Sequence, residues 1–266
     1  FWGRAVKYGV FLRAPQKNHY LLCSSAYAAG DYGLLGQFRG RALRWGYFPQ
    51  AVQYDLPALM NKKQPGSILW VGRMIGWKHP EYALETARRL KALGCAFTME
   101  LVGTGALEEG LRAQVESWGL REQVRLSGAV TPEQVRTKME RAAVFLITSD
   151  QNEGWGAVLN EAMNSGCAVV TCRATGAAPF LVEDGKNGFL YENDRIDTLA
   201  ERTRFLLEHP EKARELGENA YQTITQTWNS HCAARRLLEL AQDLAAGRQP
   251  ELPAEGPCSI APIIEG

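Results

Sequence analysis

Between Thr148 and Met163 the chain reads T-S-D-Q-N-E-G-W-G-A-V-L-N-E-A-M, directly after an apolar run and directly before a helical pattern. A strand end, a glycine-bracketed turn and a helix start therefore coincide. Gly154 and Gly156 let main chain approach a ligand closely, and the unpaired amides of a first helical turn offer donors and a positive dipole end to an anion. Glu153 precedes the helix and Glu161 stands about five residues inside it, roughly 7 Å further along at ~1.5 Å per residue. With a diphosphate on the helix start, Glu153 could accept hydrogen bonds from a sugar and Glu161 from a ribose, each a charge-assisted contact. Spacing alone fits an ordinary solvated helix equally well, so the reading rests on what surrounds it.

The surroundings supply cations. Val71-Gly72-Arg73-Met74-Ile75-Gly76-Trp77-Lys78 closes another apolar run, and strand ends in an open parallel sheet converge on one crevice. Arg73 offers a planar fork and Lys78 a compact charge, a pair suited to a departing nucleoside diphosphate. Val102-Gly103-Thr104-Gly105 and Ser127-Gly128-Ala129-Val130 end two further strands. Gly103 and Gly105 read either as a second close approach of backbone to ligand or as a tight connection. Val130 could lie against a base, though a plain turn explains it too.

The elements that must carry these residues follow from hydrophobic period. Apolar runs at 68–71, 98–102, 124–126, 144–148, 168–171 and 189–191 alternate with amphipathic stretches, which predicts an α/β domain with a doubly wound, Rossmann-like parallel sheet. A helix between the first two strands closes at Gly94, a second over 107–118 at Gly119, and Thr131-Pro132-Glu133-Gln134 reads as an N-cap with proline in the first turn. Three helices are expected at about 195–208, 211–227 and 231–246, then a Pro- and Gly-rich tail from Gly247 that should fray.

Thirty basic residues balance twenty-nine acidic ones, so no global field recruits nucleic acid, and any anion must be gripped locally. The six cysteines form no C-x-x-C pair and read as reduced, buried thiols. No apolar run reaches the roughly 18 residues of a membrane span, and a cytoplasmic protein is expected.

Taken together, V-G-R-x4-K, L-V-G-x-G (101–105), S-G-x-V (127–130), E-G-W-G-x4-N-E-A-M (153–163) and D-G-x-N-G (184–188) resemble the retaining GT-B glycosyltransferases conventionally numbered family four, which include capsule and exopolysaccharide enzymes. The resemblance covers about 67–240. It implies that Arg73 and Lys78 bind the donor diphosphate beside Gly72, and that the backbone of Gly154, Trp155, Gly156 and Ala157, with Val158 next to it, holds phosphate and sugar. It further implies that Glu153 reads the sugar, Glu161 the ribose, and that Val130 frames the base. The implied substrate is a UDP-, GDP- or ADP-sugar, with no metal or other cofactor, although Asp150 and Glu153 could serve as metal ligands. The sugar would pass with retention to a glycan or lipid-linked acceptor, at the inner face of the cell membrane if the full-length protein associates peripherally. Pro179-Phe180 departs from the Pro-Glu of many members.

Residues 1–60 hold twelve of the twenty-five aromatics, too many for a linker. They are expected to be the remnant of an acceptor domain and its crossing, followed by a donor domain over 61–230 and a terminal helix and tail over 231–266. Two other readings stay open: a GT-B nucleotide-sugar epimerase and a non-catalytic nucleotide-sugar-binding module.

Overall fold

The computed structural model describes residues 19–264 of the chain. In order the elements are β1 (Leu21–Cys23), α1 (Ala28–Leu34), β2 (Ala42–Arg44), α2 (Leu56–Asn61), β3 (Gln64–Val71), α3 (Pro80–Ala92), β4 (Thr98–Val102), α4 (Glu108–Ser117), β5 (Val124–Leu126), α5 (Pro132–Arg141) and β6 (Ala142–Ile147). There follow α6 (Ala157–Asn164), β7 (Ala168–Cys172), α7 (Ala178–Leu181), β8 (Phe189–Tyr191), α8 (Ile196–Glu208), α9 (Pro210–Gln222) and α10 (Ser230–Ala245).

The apolar runs become strands because both faces of the sheet are covered. The six-stranded sheet runs β5-β4-β3-β6-β7-β8 with every neighbouring pair parallel. One face packs Ile68, Trp70, Val144 and Val170 against Leu84, Leu90, Leu111 and Leu216 of the helices. The other packs Leu69, Phe145 and Val169 against Leu159, Met163 and Trp228. Burying one such side chain is worth about 1.5–3 kcal/mol, so each run is pinned in register.

Local signals behave as their chemistry requires. Thr131 and Gln134 form a reciprocal capping box, so two donors at the start of α5 find acceptors. The helix expected to run from 211 to 227 instead ends at Gln222 and passes into one π turn over 223–227, where Thr223 accepts from Asn187 Nδ2 at 2.9 Å. Asp184 and Asn187 of the D-G-x-N-G motif build a turn. Asp184 accepts from the Leu190 amide and from Arg202, and Asn187 accepts from the Glu183 amide.

One expectation about the C-terminal tail needs correction. Residues 258–261 are held, not frayed: Cys258, Ser259 and Ala261 are buried, and Arg44, Cys258 and Ala261 exchange main-chain hydrogen bonds of 2.7–2.9 Å with Ser259, Arg44 and Ala42. This segment thereby extends a second, two-stranded parallel sheet of β1 and β2, with Leu43, Leu240 and Cys258 in a small core beneath. Leu59 and Met60 of α2 are buried, with Met60 lying close against Gly166 and Gly217 of the larger unit. Of the 1–60 segment, residues 1–18 lie outside the described residues.

Candidate functional site

β3 and β6 are neighbours in space, yet their onward connections run to opposite sides of the sheet. A crevice opens at their carboxyl ends for that reason, the switch point of a doubly wound fold. A cleft of about 970 Å³ lies there. Gly72, Arg73, Trp77 and Lys78 line it from the loop after β3, and Asn152, Glu153 and Gly156 from the loop after β6. Ala157, Val158 and Glu161 face it from α6, and Val130 and Arg136 from the β5–α5 side. The predicted cations, both predicted carboxylates and the predicted helix start therefore meet in one place.

Each is held from below. Trp70 Nε1 donates to Thr148 Oγ1 at 2.8 Å, and that hydroxyl donates to the Lys78 carbonyl at 2.6 Å, so a buried relay joins the ends of β3 and β6. The Asp150 amide reaches the Trp77 carbonyl at 3.1 Å. The Arg73 guanidinium lies over the Trp77 ring, 5.5 Å from its centroid, which restricts a side chain that is otherwise exposed. Gly156 has φ 88° and a β-carbon there would meet Thr175 Cγ2 at 2.9 Å; glycine is the residue that lets α6 begin at this point. The first-turn amides of α6, on the cleft-lining Ala157 and Val158, lack acceptors within the helix by its geometry.

The electrostatics hold one surprise. Lys78 and Glu153, assigned to different parts of a ligand, form an ion pair with each other, their side chains 16% and 17% exposed. Glu161 is half-buried, and burial raises its carboxyl pKa while the Arg136 charge works in the opposite direction. A hydroxyl donor placed there would find an acceptor with little competing water.

Four predicted residues are not among those that line the cleft. Trp155 is 2% exposed, its Nε1 donates to Asn160 Oδ1 at 2.8 Å, and its ring packs on Phe180, Trp228 and Gly46. It shapes the core under the turn and does not line the cleft. Gly103 and Gly105 likewise face protein: β-carbons there would stand 1.9 Å from the Gly72 carbonyl oxygen and 2.4 Å from the Met74 oxygen. They let the loop after β4 press against the loop that carries Arg73, so the tight-connection reading of G-x-G holds. A β-carbon on Gly154 would meet nothing within 4 Å, its carbonyl packs against Gly176, and the residue is not among those lining the cleft. Phe180, in place of glutamate, stacks on Trp228 and lies under the Arg44 guanidinium.

The structure also adds residues that spacing did not single out. Asn164 closes a strand-like pair of bonds with Val52, accepting at 2.8 Å and donating at 3.1 Å, which brings Gln50 and Val52 to the cleft wall. Arg136 donates to Asn164 and neighbours Glu161. Its helical position relative to Thr131 was legible; its partner, twenty-eight residues away, was not.

These features define a class first: a Rossmann-like α/β domain with an anion-suited crevice at its switch point. The chain belongs to the glycosyl transferases group 1 family, whose model matches residues 56–223. It is 29% identical over 207 residues to the amylovoran biosynthesis glycosyltransferase AmsK of Erwinia amylovora, covering 76% of this chain and 50% of that protein. The fold matches that of the lipopolysaccharide outer core galactosyltransferase WaaB with a TM-score of 0.72 at 18% identity, covering 85% of this chain and 62% of WaaB. It also matches Alr3699/HepE of Anabaena, solved in complex with UDP-glucose, with a TM-score of 0.65 at 20% identity, covering 85% and 64%. The fold is thus that of GT-B glycosyltransferases, and the chain spans about half the length of the curated relatives it matches.

Proposed function

We propose that this chain is the donor-binding part of a retaining glycosyltransferase that moves a sugar from a nucleoside diphosphate to a glycan or lipid-linked acceptor. The observation that carries the reading is the convergence of Arg73, Lys78 and the start of α6 on one cleft that also holds Glu153 and Glu161. The diphosphate lies across the α6 amides, with the sugar toward Glu153 and the ribose toward Glu161. Arg73 and Lys78 neutralise charge as the sugar–phosphate bond breaks; one such preorganised donor is worth about 2.7–4 kcal/mol of barrier. The acceptor attacks from the face the diphosphate leaves, and a departing phosphate oxygen takes its proton, so configuration is retained without a metal.

Family membership and the UDP-glucose bound by HepE make a UDP-sugar the first donor to try. The similarity to AmsK favours a polysaccharide acceptor. The test is calorimetric titration of UDP and of UDP-, GDP- and ADP-glucose into wild type and the R73A/K78A double variant. Micromolar-to-millimolar binding to wild type, lost in the variant, supports the reading; equal affinity in both sinks it.

A further inference from the structure

His79 follows Lys78 and is held at φ 45°, ψ 52°, a left-handed backbone that side chains other than glycine rarely adopt. Its ring explains why it stays. Nδ1 stands 2.7 Å from Glu81 Oε1 and Nε2 3.2 Å from Asp150 Oδ2. The ring also stacks on Tyr82, centroids 4.5 Å apart and planes within 14°. Carboxylates only accept, and a neutral imidazole carries a single N–H. Both contacts are therefore hydrogen bonds together only when both ring nitrogens are protonated.

The acceptor on the far side matters most. Asp150 Oδ1 accepts from the Asn152 amide at 2.8 Å, and the Asp150 carbonyl accepts from the Glu153 amide at 3.0 Å. A line of bonds thus runs from the His79 ring through Asp150 to the turn that presents Glu153, while the neighbouring Lys78 side chain pairs with Glu153.

We propose that His79 is a positioning residue of the donor site: its ring clamps Asp150 and so fixes the 150–153 turn that presents Glu153 to Lys78. This rests on the donor-site reading above. The groups that face the ring are Glu81 and Tyr82 of α3 and Asp150 after β6, with Lys78 beside it in the chain and Asp194 after β8 bonded to the Tyr82 hydroxyl. Three of these five groups are carboxylates, and Lys78 is paired with Glu153.

Two measurements on each variant test it: calorimetry with UDP-glucose for affinity and thermal unfolding for stability. The H79G variant relieves the left-handed backbone, so it should keep or raise its melting temperature while binding UDP-glucose about tenfold more weakly. H79Q keeps a side-chain N–H that can reach Asp150 and should recover most of that affinity. H79G with wild-type affinity, or H79Q binding as weakly as H79G, overturns the clamp. Failure of wild type to bind any of the nucleotide sugars overturns the donor reading and the positioning role with it, a result distinct from either.

Discussion

Replacing Glu153 with glutamine should tighten the binding of a plain nucleoside diphosphate and weaken that of its sugar ester. In the free protein the Lys78 ammonium is engaged by Glu153, and each side chain is about one-sixth exposed. A hydrogen bond between charged groups contributes about 1.5–3 kcal/mol when shielded, and exposure at a cleft mouth reduces such a pair toward about 1 kcal/mol. A diphosphate must displace that bond to reach Lys78. The E153Q substitution removes the competitor and a like charge, so UDP should gain about 1 kcal/mol, roughly fivefold in Kd. UDP-glucose gains the same amount but loses charge-assisted bonds to its sugar hydroxyls, about 1.5–3 kcal/mol, and should bind more weakly overall. The reverse holds for K78A, which removes the cation and leaves Glu153 facing the phosphates; both ligands should weaken by about ten- to a hundredfold. Calorimetry at fixed ionic strength reads all four combinations. If E153Q weakens UDP and UDP-glucose by one common factor, the carboxylate neither competes for Lys78 nor faces the sugar.

The raised pKa of Glu161 means that the folded state holds its proton to a higher pH than the unfolded chain does. Its ionisation therefore costs stability above that folded pKa and costs nothing below the unfolded one. E161Q should raise the melting temperature at pH 7 more than at pH 4, while UDP affinity falls about tenfold; equal thermal shifts at both pH values would contradict the burial argument. In G103A, a β-carbon 1.9 Å from the Gly72 oxygen, at φ 132°, must push the loops after β3 and β4 apart. A loss of at least about 2 kcal/mol in urea unfolding is expected, with weaker UDP binding because Arg73 moves. W155A empties a buried site and strips Asn160 of its indole donor, so urea unfolding should report a loss of about 3–5 kcal/mol.

Much of this was legible along the chain because its causes are local. The strands at 98–102, 124–126 and 189–191 appear with the bounds their apolar runs imply, and Thr131 caps α5 with Gln134 as its residue types require. The cleft residues Arg73, Lys78, Glu153 and Glu161 were legible for a related reason: parallel strands place all their carboxyl ends on one side, so a loop's position in the βα alternation already says which face it occupies.

What remained hidden depends on pairs distant in sequence. Two glycines in G-x-G spacing look alike whether they admit a phosphate or another loop, and only the placement of Gly72 and Met74 shows that Gly103 and Gly105 admit a loop. Trp155 sits in a ligand-like motif, but its ring volume found a core site between Phe180, Trp228 and Gly46. Composition marked the tail as loose; the unpaired main chain of β2 gave it partners.

By itself, the sequence determined the doubly wound sheet, its order of strands and helices, and which side of it could hold an anion, since period and capping act within a turn or two of the chain. The tertiary structure alone decided that Lys78 meets Glu153, that His79 reaches Asp150 and that residues 258–261 close onto β2. Those contacts join segments that only the crossover connections bring within a few ångströms, and no local preference encodes a distance between them.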